Sequence, residues 1–188
     1  MRVRADSAAA TRTRILDAAT AAMRRQFRPA VRLDAVAAEA GVSVQTVLRI
    51  FGSKSRLLDE VIEIATKEVV AEFDGLRAGD VTGIVHAYLS HYEKVGDLVV
   101  RNIQDEHDPE IHAFVERGRD AQRAGINVQL APFLDPLAPA ERRRIVDALV
   151  VALDVYTWKR LRRDMGRSRR ETEVTIRTLV NAILEAVK

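Results

Sequence analysis

An all-α fold is predicted by three features of this 188-residue sequence. Apolar residues make up 47% of the chain and recur at helical spacing almost throughout. No stretch shows the sustained alternation of apolar and polar residues that indicates a β-strand. Gly and Pro interrupt the helical pattern at intervals, so the chain is interpreted as a small N-terminal domain joined to a larger helical one.

The N-terminal part is predicted to contain three helices and the start of a fourth. The first spans residues 10–27 and ends near Pro29. Its apolar stripe comprises Ile15, Leu16, Ala19, Met23 and Phe27. Shorter helices follow at residues 33–40 and 44–51. Ser53 is placed to cap a fourth helix that runs from Lys54 to about Phe73.

The C-terminal part is predicted to be helical as well. The segment from Gly75 to Gly79 loosens the chain, and apolar periodicity then marks further helices. Their expected ranges are 81–95, 97–105, 109–129, 138–165 and 169–187. We therefore expect a domain at residues 1–53 and a second at residues 54–188, with the helix from Lys54 bridging both.

Residues 41–54, GVSVQTVLRIFGSK, break the helical pattern only briefly. The turn at residues 41–43 needs a positive φ at its first position, which Gly41 adopts without steric cost. Ala37 is small enough to let the flanking helices cross closely. The wedge between the helices is filled by Val42, Val47 and Ile50. This pattern predicts a helix-turn-helix.

The second helix of this motif carries side chains suited to reading DNA. Ser43 is placed as its N-cap. The outward face is expected to comprise Val44, Gln45, Thr46 and Arg49. Gln and Arg form bidentate hydrogen bonds with base edges, and Thr offers a hydroxyl and a methyl group, so the face suits the major groove. A helical hairpin inside a core is the alternative that the residues leave open.

Positive charge is concentrated near the N-terminus. Residues 1–60 hold 11 Lys and Arg against 6 Asp and Glu, and the remainder holds 19 against 21. This asymmetry favours binding to a polyanion such as nucleic acid, although a generally Arg-rich composition is the alternative. Residues 1–14 are expected to form a flexible basic arm whose arginines add DNA contacts, with Arg2 and Arg4 disordered. The other two arginines of the arm are Arg12 and Arg14.

Residues 10–65 resemble the DNA-binding domain of the tetracycline-repressor (TetR) family of transcriptional regulators. The resemblance lies in TRTRILDAATAAM, in VAAEAGVSVQTVLRIFGSKSRLLDEVI and in the spacing between them. The segment DVYTWKRLRRDMGRSRRETE is more loosely similar to the last helices of such regulators. The resemblance implies a three-helix helix-turn-helix DNA-binding domain, followed by a helical domain that binds a small ligand and forms the dimer.

Position by position, the resemblance implies that Gln45, Thr46 and Arg49 reach bases. It also implies that Ser43 and Lys54 hold phosphates. For Lys54 the amides and dipole of the helix N-terminus add to the attraction of an anion, and a solvated lysine is the alternative.

Two positions depart from the family pattern. Leu48 stands where the family usually has Tyr, which removes a phenol that commonly touches DNA phosphate. Arg32 stands where Thr is frequent, and its guanidinium is expected to contact a phosphate instead. The operator sequence therefore does not transfer from any relative.

Two apolar stripes near the end of the chain predict a homodimer. The first comprises Ile145, Leu149, Leu153 and Tyr156. The second comprises Ile176, Leu179, Val180, Ile183 and Val187. Two such helices pair into four across a two-fold axis, but the stripes also suit the core of their own domain.

The expected effector is a small, largely apolar molecule of unknown identity. The candidate ligand-binding residues are Tyr88, His91, Tyr92, Asn102, Phe114, Tyr156 and Trp158. His86 and Gln104 share their amphipathic character. These side chains lie on helices expected to surround a pocket, although helical spacing alone would place several of them in an ordinary core.

The chain lacks the residues that enzymes, metal-binding proteins and membrane proteins need. The chain has no Cys, no Gly-rich phosphate loop and no Ser–His arrangement in a recognisable context, so neither catalysis nor a cofactor is expected. Residues 105–112, DEHDPEIH, hold His107 and His112 among carboxylates, but acidic groups in an interhelical loop are usually solvated, and no metal site is expected. No apolar run suits a membrane span and the first ten residues lack the apolar core of a signal peptide, so a cytoplasmic location is expected.

The sequence thus predicts a ligand-responsive transcriptional regulator, and most readily a repressor, that binds palindromic operator DNA as a homodimer. A ligand is expected to act by shifting the bridging helix that starts at Lys54. The alternative is a ligand-independent DNA-binding or scaffolding protein of the same fold.

Overall fold

The computed structural model describes the backbone of residues 2–26 and 28–187 and, except at residues 2–7 and 110, their side chains. All regular elements in these residues are helical, which confirms the all-α prediction. Phe27 of the predicted first stripe and the side chains of Arg2 and Arg4 lie outside what is described. Packing divides the chain into a unit that ends at Ala71 and a unit that begins at Glu72.

The N-terminal unit contains three helices and most of a fourth. They are α1 (Arg2–Arg25), α2 (Leu33–Glu39), α3 (Val44–Phe51) and α4 (Lys54–Phe73), with a 3₁₀ turn at Arg28–Ala30. Leu57, Leu58 and Val61 of α4 are buried in the same apolar cluster as the inner faces of the first three helices. The division by packing thus falls within α4, the helix expected to bridge both domains, and the domain boundary after residue 53 stays a prediction.

Helix α1 begins earlier than the predicted residue 10, and the expected flexible arm is wrong for the described backbone. Arg12 donates to Glu60, with Nη2 and Oε2 2.7 Å apart, and its guanidinium lies 5.0 Å from the centre of the Phe51 ring. Arg14 donates through Nε to the carbonyl oxygen of Ala40 at 3.2 Å. Both arginines therefore contribute to the packing of this unit.

The turn between α2 and α3 confirms the helix-turn-helix. Gly41 has a φ of 67°, and the amide of Val42 donates to the carbonyl oxygen of Ala37 at 2.9 Å, which closes the end of α2. Ala37 and Val47 are buried, as the close crossing of the helices requires. The partly buried Val42 and Ile50 pack against the same cluster.

The C-terminal unit contains six helices in its described residues. They are α5 (Val81–Gln104), α6 (Pro109–Gln129), α7 (Ala131–Leu134), α8 (Pro139–Ala152), α9 (Val155–Lys159) and α10 (Arg169–Glu185), with a π-helical turn at Arg160–Asp164. The predicted break in the helical pattern between Gly75 and Gly79 is confirmed, because α4 ends at Phe73 and both glycines have positive φ.

Helix α5 is continuous where two helices were predicted, at residues 81–95 and 97–105. The two predicted ranges left a gap of one residue at Gly96, and glycine is a poor helix former. In the structure Gly96 is buried, and a Cβ at this position would lie 2.5 Å from Cζ3 of Trp158. The glycine thus provides room for the indole ring against an unbroken helix.

Residues 138–165 were predicted to form one helix, and this prediction is wrong because the structure divides them into shorter helices. Helix α8 ends at Ala152, and Asp154 starts α9 by accepting a hydrogen bond from the amide of Tyr156 at 2.7 Å. The π-helical turn then ends the segment before α10. Ser168 and Glu171 cap α10 reciprocally.

The two predicted dimer stripes face largely into their own unit. Leu149, Leu153, Ile176 and Val180 are buried in the C-terminal core. Of the predicted stripes, Leu179 and Tyr156 are exposed. The placement of an interface on the buried members is therefore wrong, and the homodimer itself stays a prediction.

Candidate nucleic-acid interface

Helix α3 is fixed at both ends by local hydrogen bonding. The Ser43 hydroxyl accepts from the amide of Thr46 at 3.1 Å, and the two hydroxyl oxygens are 3.0 Å apart. Gly52 ends the helix with a φ of 81°. Val47 and Phe51 anchor the inner face in the core, so the outer face has a defined orientation.

The outer face of α3 carries Gln45, Leu48 and Arg49, which are spaced as neighbours on one side of a helix. All three side chains are exposed. Among the described residues, neither Gln45 nor Arg49 has a side-chain hydrogen bond or an ion pair. Their donors are therefore directed to solvent and are available to base edges.

Two of the predicted positions on this face, Val44 and Thr46, need correction, and Leu48 is added to it. Val44 is half-buried and packs against the N-terminal core, so its expected outward orientation is wrong. Thr46 is also half-buried, and its hydroxyl is engaged with Ser43. Leu48, which the sequence marked only as a departure from the family, is 39% exposed beside Gln45 and Arg49.

Arg32 lies immediately before α2 and forms a bidentate pair with Asp34. Its Nε donates to Oδ1 at 3.0 Å, and its Nη2 donates to Oδ2 at 2.6 Å. Hydrogen bonding to Arg32 lowers the pKa of Asp34. The guanidinium predicted to contact phosphate is thus already occupied by a carboxylate in the structure.

Lys54 lies at the start of α4, where Ser53 caps the helix by accepting from the amide of Arg56 at 3.2 Å. The Lys54 ammonium donates to the carbonyl oxygen of Pro29 at 2.9 Å. This bond ties the start of α4 to the connection between α1 and α2. An ammonium has three donors, so this contact leaves capacity for a phosphate.

The aromatic candidates in the C-terminal unit are mainly core residues. Tyr92 is buried, and its hydroxyl donates to the carbonyl oxygen of Leu153 at 3.1 Å. Trp158 is fully buried, and its indole N–H donates to Glu93 Oε1 at 2.9 Å. Tyr88 is buried beside them, and burial raises the pKa of both tyrosines.

Of the other four ligand candidates, only His91 lies beside this cluster, with its ring centre 5.4 Å from that of Tyr92. Phe114 and Tyr156 are exposed, and Asn102 is buried with no partner for Oδ1 among the described atoms. His91 Nδ1 lies 3.1 Å from Glu72 Oε2, and burial lowers the pKa of this imidazole while Glu72 partly offsets the effect. The structure therefore does not gather the seven predicted residues around one cavity.

A groove of about 470 Å³ lies elsewhere in the C-terminal unit. Its polar lining comprises Glu72, Asp80, Thr82, His86, Ser90 and Glu173, and its apolar lining Leu76, Gly83 and Ala87. His86 had been noted for its amphipathic character, but the other lining residues were missed. They come from the end of α4, from the connection between α4 and α5, from α5 and from α10, and no local sequence signal brings Glu173 to the others.

The acidic segment at residues 105–112 has a structural role at one of its positions. Asp108 Oδ1 accepts from the amide of Ile111 at 3.3 Å and so caps α6. His107 and His112 are exposed. In the described parts of the chain, no three His, Asp or Glu side chains are grouped as ligands for a metal ion.

None of the helices within the described residues has the length and apolar composition to cross a membrane.

Residues 15–61 match the family model described as bacterial regulatory proteins, tetR family. The matched range covers the C-terminal part of α1, the whole helix-turn-helix and the start of α4. None of the curated proteins is a match to this chain. The fold and the family match agree on the N-terminal unit, so this unit holds a DNA-binding domain of the type found in the tetR family of bacterial regulatory proteins, and the chain is a DNA-binding transcription regulator.

Proposed function

We propose that the protein is a cytoplasmic repressor that binds a palindromic operator as a homodimer, with α3 in the major groove. The observation that carries this proposal is the outer face of α3. Gln45 and Arg49 are exposed and have no partner among the described side chains, and both side-chain types form bidentate bonds with base edges. A role in regulation, without catalysis, follows the character of the family.

The contacts divide into two kinds with different consequences. Gln45 and Arg49 read bases and so determine sequence preference, whereas Lys54, Ser43 and Arg32 position the protein on phosphates. The Ser43 hydroxyl caps α3 at the same time, so it reaches a phosphate only as an additional contact. Leu48 adds an apolar contact, which suits the methyl group of thymine.

The homodimer is supported by aliphatic side chains that remain exposed on α8 and α10. Val151 is 67% exposed, Val174 45% and Leu179 43%. Burial of such surfaces across a two-fold axis would give a dimer with two copies of α3, which suits an operator with matched half-sites about 34 to 36 Å apart, one turn of DNA.

Ligand response is supported by the groove in the C-terminal unit, whose volume of about 470 Å³ is in the range of small-molecule sites. Glu72 at the end of α4 lines the groove, so a ligand bound there contacts the helix that begins at Lys54. Three carboxylates line it, although Glu72 is paired with Lys94 and Glu173 lies 3.4 Å from His86. This lining favours a polar or cationic ligand over the largely apolar molecule expected from the sequence. The alternative is a protein of the same fold that binds DNA without an effector.

DNA binding is tested by selecting duplexes from a random-sequence library with the purified protein. We expect enrichment of a palindrome, and affinity that falls steeply with salt because phosphate contacts release counterions. Enrichment of no sequence at low salt would contradict the proposal.

The homodimer is tested by replacing Val151 and Leu179 together by Glu. Light scattering should show dimers for the wild type and monomers for this variant, and the variant should lose operator binding because one α3 supplies only half of the contacts. Val128→Glu is the matched control, since Val128 is 70% exposed on α6 and lies outside α8 and α10. A wild type that is monomeric at micromolar concentration would refute the dimer.

The effector is sought by a thermal-shift screen that includes organic cations, with release of the selected operator as the second measurement. Ligand and operator must weaken each other by the same factor, because coupling of binding is reciprocal. Trp158, the single tryptophan, reports on the C-terminal unit by its emission. A ligand whose dissociation constant is equal with and without operator would favour the ligand-independent alternative.

A further inference from the structure

Many cations of the N-terminal unit are paired within the protein. The pairs are Arg12–Glu60, Arg25–Glu39, Arg28–Asp59, Arg32–Asp34 and Lys67–Glu63. Of these, the pair between Arg32 and Asp34 has both members at the start of α2, the first helix of the helix-turn-helix. At the surface expected to meet DNA, Arg32 is therefore a cation that already has an anionic partner within the protein.

The geometry of the Arg32–Asp34 pair is that of an arginine bound to an anion. Both carboxylate oxygens accept from the guanidinium, at 3.0 Å from Nε and 2.6 Å from Nη2. A DNA phosphate accepts from the same fork of N–H groups. One guanidinium edge cannot hold the carboxylate and a phosphate at once.

Both side chains of this pair are accessible to DNA. The side chain of Arg32 is 76% exposed and that of Asp34 is 56% exposed, so no packing holds the pair together. Asp34 Oδ1 also accepts from the amide of Ala35 at 2.9 Å, which keeps the carboxylate in place at the start of α2. The arginine can leave this pair, but the carboxylate remains at the surface.

We propose that Asp34 competes with DNA phosphate for Arg32 and thereby lowers the affinity of the protein for DNA of any sequence. This proposal rests on the proposed function, in which Arg32 lies near a phosphate. Binding exchanges one charge-assisted pair for another, so the net gain from Arg32 is small. The negative charge of Asp34 also repels the incoming phosphate.

The competition acts on binding that does not depend on sequence. Affinity for random DNA comes almost entirely from phosphate contacts, whereas the base contacts of Gln45 and Arg49 are independent of Asp34. Asp34 therefore increases the share of the total affinity that depends on sequence. It is a determinant of specificity that touches no base.

The test uses a duplex of random sequence, so it requires no knowledge of the operator. Dissociation constants are measured over a series of salt concentrations for the wild type, Asp34→Asn and Glu63→Gln. The Glu63 variant is the matched control, because it removes one negative charge from an exposed ion pair with Lys67 on α4, nine residues beyond Lys54. Asp34→Ser serves as a second variant, since Ser is also accepted near a helix start.

We expect both Asp34 variants to bind the duplex about three- to tenfold more tightly than the wild type at low salt. The slope of log affinity against log salt should become steeper by about 1, the change expected for one added phosphate contact. Glu63→Gln should behave as the wild type.

Three results would overturn the proposal. If the Asp34 variants keep the wild-type melting temperature and bind equally or more weakly, Asp34 positions Arg32 for DNA and does not compete with it. If Glu63→Gln gains as much affinity, the effect is one of total charge. If the wild type itself binds no duplex at low salt, the proposed function fails together with the inference.

Discussion

The helix-turn-helix and the aromatic cluster of the C-terminal unit use polar side chains in opposite ways. On α3, Gln45 and Arg49 are exposed and have no hydrogen-bond partner among the described side chains. In the C-terminal unit, Tyr92 and Trp158 are buried, and each donates its polar hydrogen to a group inside the fold. Both regions carry residues of the kind that bind ligands, but the capacity to bind a partner is available in the first region and consumed in the second.

The difference follows from the cost of burial. An unpaired polar group at the surface costs nothing, because water satisfies it until a partner replaces the water. A buried polar group must be paired inside the protein, so its donors are used for stability. Aromatic residues with polar atoms on helices are thus as typical of a core as of a pocket, and burial distinguishes the two.

The largest effect that we expect concerns the packing of Trp158. Replacing Gly96 by Ala places a methyl group within 2.5 Å of the indole, so the ring or α5 must move. We expect the free energy of unfolding to fall by about 2–4 kcal/mol, measured by urea titration with Trp158 emission.

Gly118→Ala is the matched control for this substitution. Gly118 lies within α6 and a Cβ there would meet nothing within 4 Å, so the higher helix propensity of Ala should stabilise the protein by up to about 1 kcal/mol. Equal effects of the two substitutions would show that the close approach of Gly96 to Trp158 is not a feature of the protein in solution.

A smaller effect is expected at Glu93, which binds both Trp158 and Arg162. The hydrogen bond from Arg162 lowers the pKa of Glu93 from 4.5 to about 2. The hydrogen bond from Trp158 also lowers this pKa, whereas desolvation by burial raises it. The folded state therefore binds fewer protons than the unfolded state between these values, so the stabilisation is complete above pH 4.5 and is lost as the pH falls toward 2.

Glu93→Gln should thus cost about 1–2 kcal/mol of unfolding free energy at pH 7, a value reduced for solvent screening, and less at pH 3. Urea titration at the two pH values measures this difference. Asp147→Asn is the control, since the pair of Asp147 with Arg123 is exposed and should contribute little at either pH. A constant cost of Glu93→Gln across pH would mean that its charge is not what stabilises the fold.

The smallest of these effects separates the two roles of Ser43. Asp caps a helix as well as Ser does, so Ser43→Asp should change the unfolding free energy by less than about 0.5 kcal/mol. The added carboxylate faces DNA phosphates, however, and should weaken binding about fivefold, by about 1 kcal/mol. Ser168→Asp, at the cap of α10, should leave DNA affinity unchanged. A Ser43 variant that binds DNA as the wild type does would remove this residue from the interface.

Local sequence signals predicted the helix-turn-helix well. The positive φ of Gly41, the cap formed by Ser43 and the burial of Val47 each depend on residues within one or two helical turns. Such interactions are encoded by short spacings, so the sequence alone indicates them. The extent of α1 and the half-buried position of Val44 were the errors in this region.

Long-range packing accounts for what the sequence did not show. The continuity of α5 through Gly96 was missed because the role of this glycine depends on Trp158, which is remote in sequence. Leu149 and Leu153 are buried because other helices of the same chain cover α8. A stripe of apolar residues in the sequence does not indicate whether the covering helix belongs to the same chain or to a second copy. The pairing of Arg32 with Asp34 was missed although the residues are close, because Arg32 was considered only as a partner of DNA phosphate and Asp34 was not considered.

The central claim is that the exposed face of α3 reads DNA bases. It is tested most directly by repeating the selection from random duplexes with Arg49→Ala, and with Arg24→Ala, which removes an equal charge from an exposed position in the last turn of α1. We predict that Arg49→Ala relaxes the preference at one position of each half-site at a cost of about 1–3 kcal/mol, whereas Arg24→Ala selects the wild-type sequence. An Arg49 variant that selects the same sequence with the same stringency as the wild type would contradict the account.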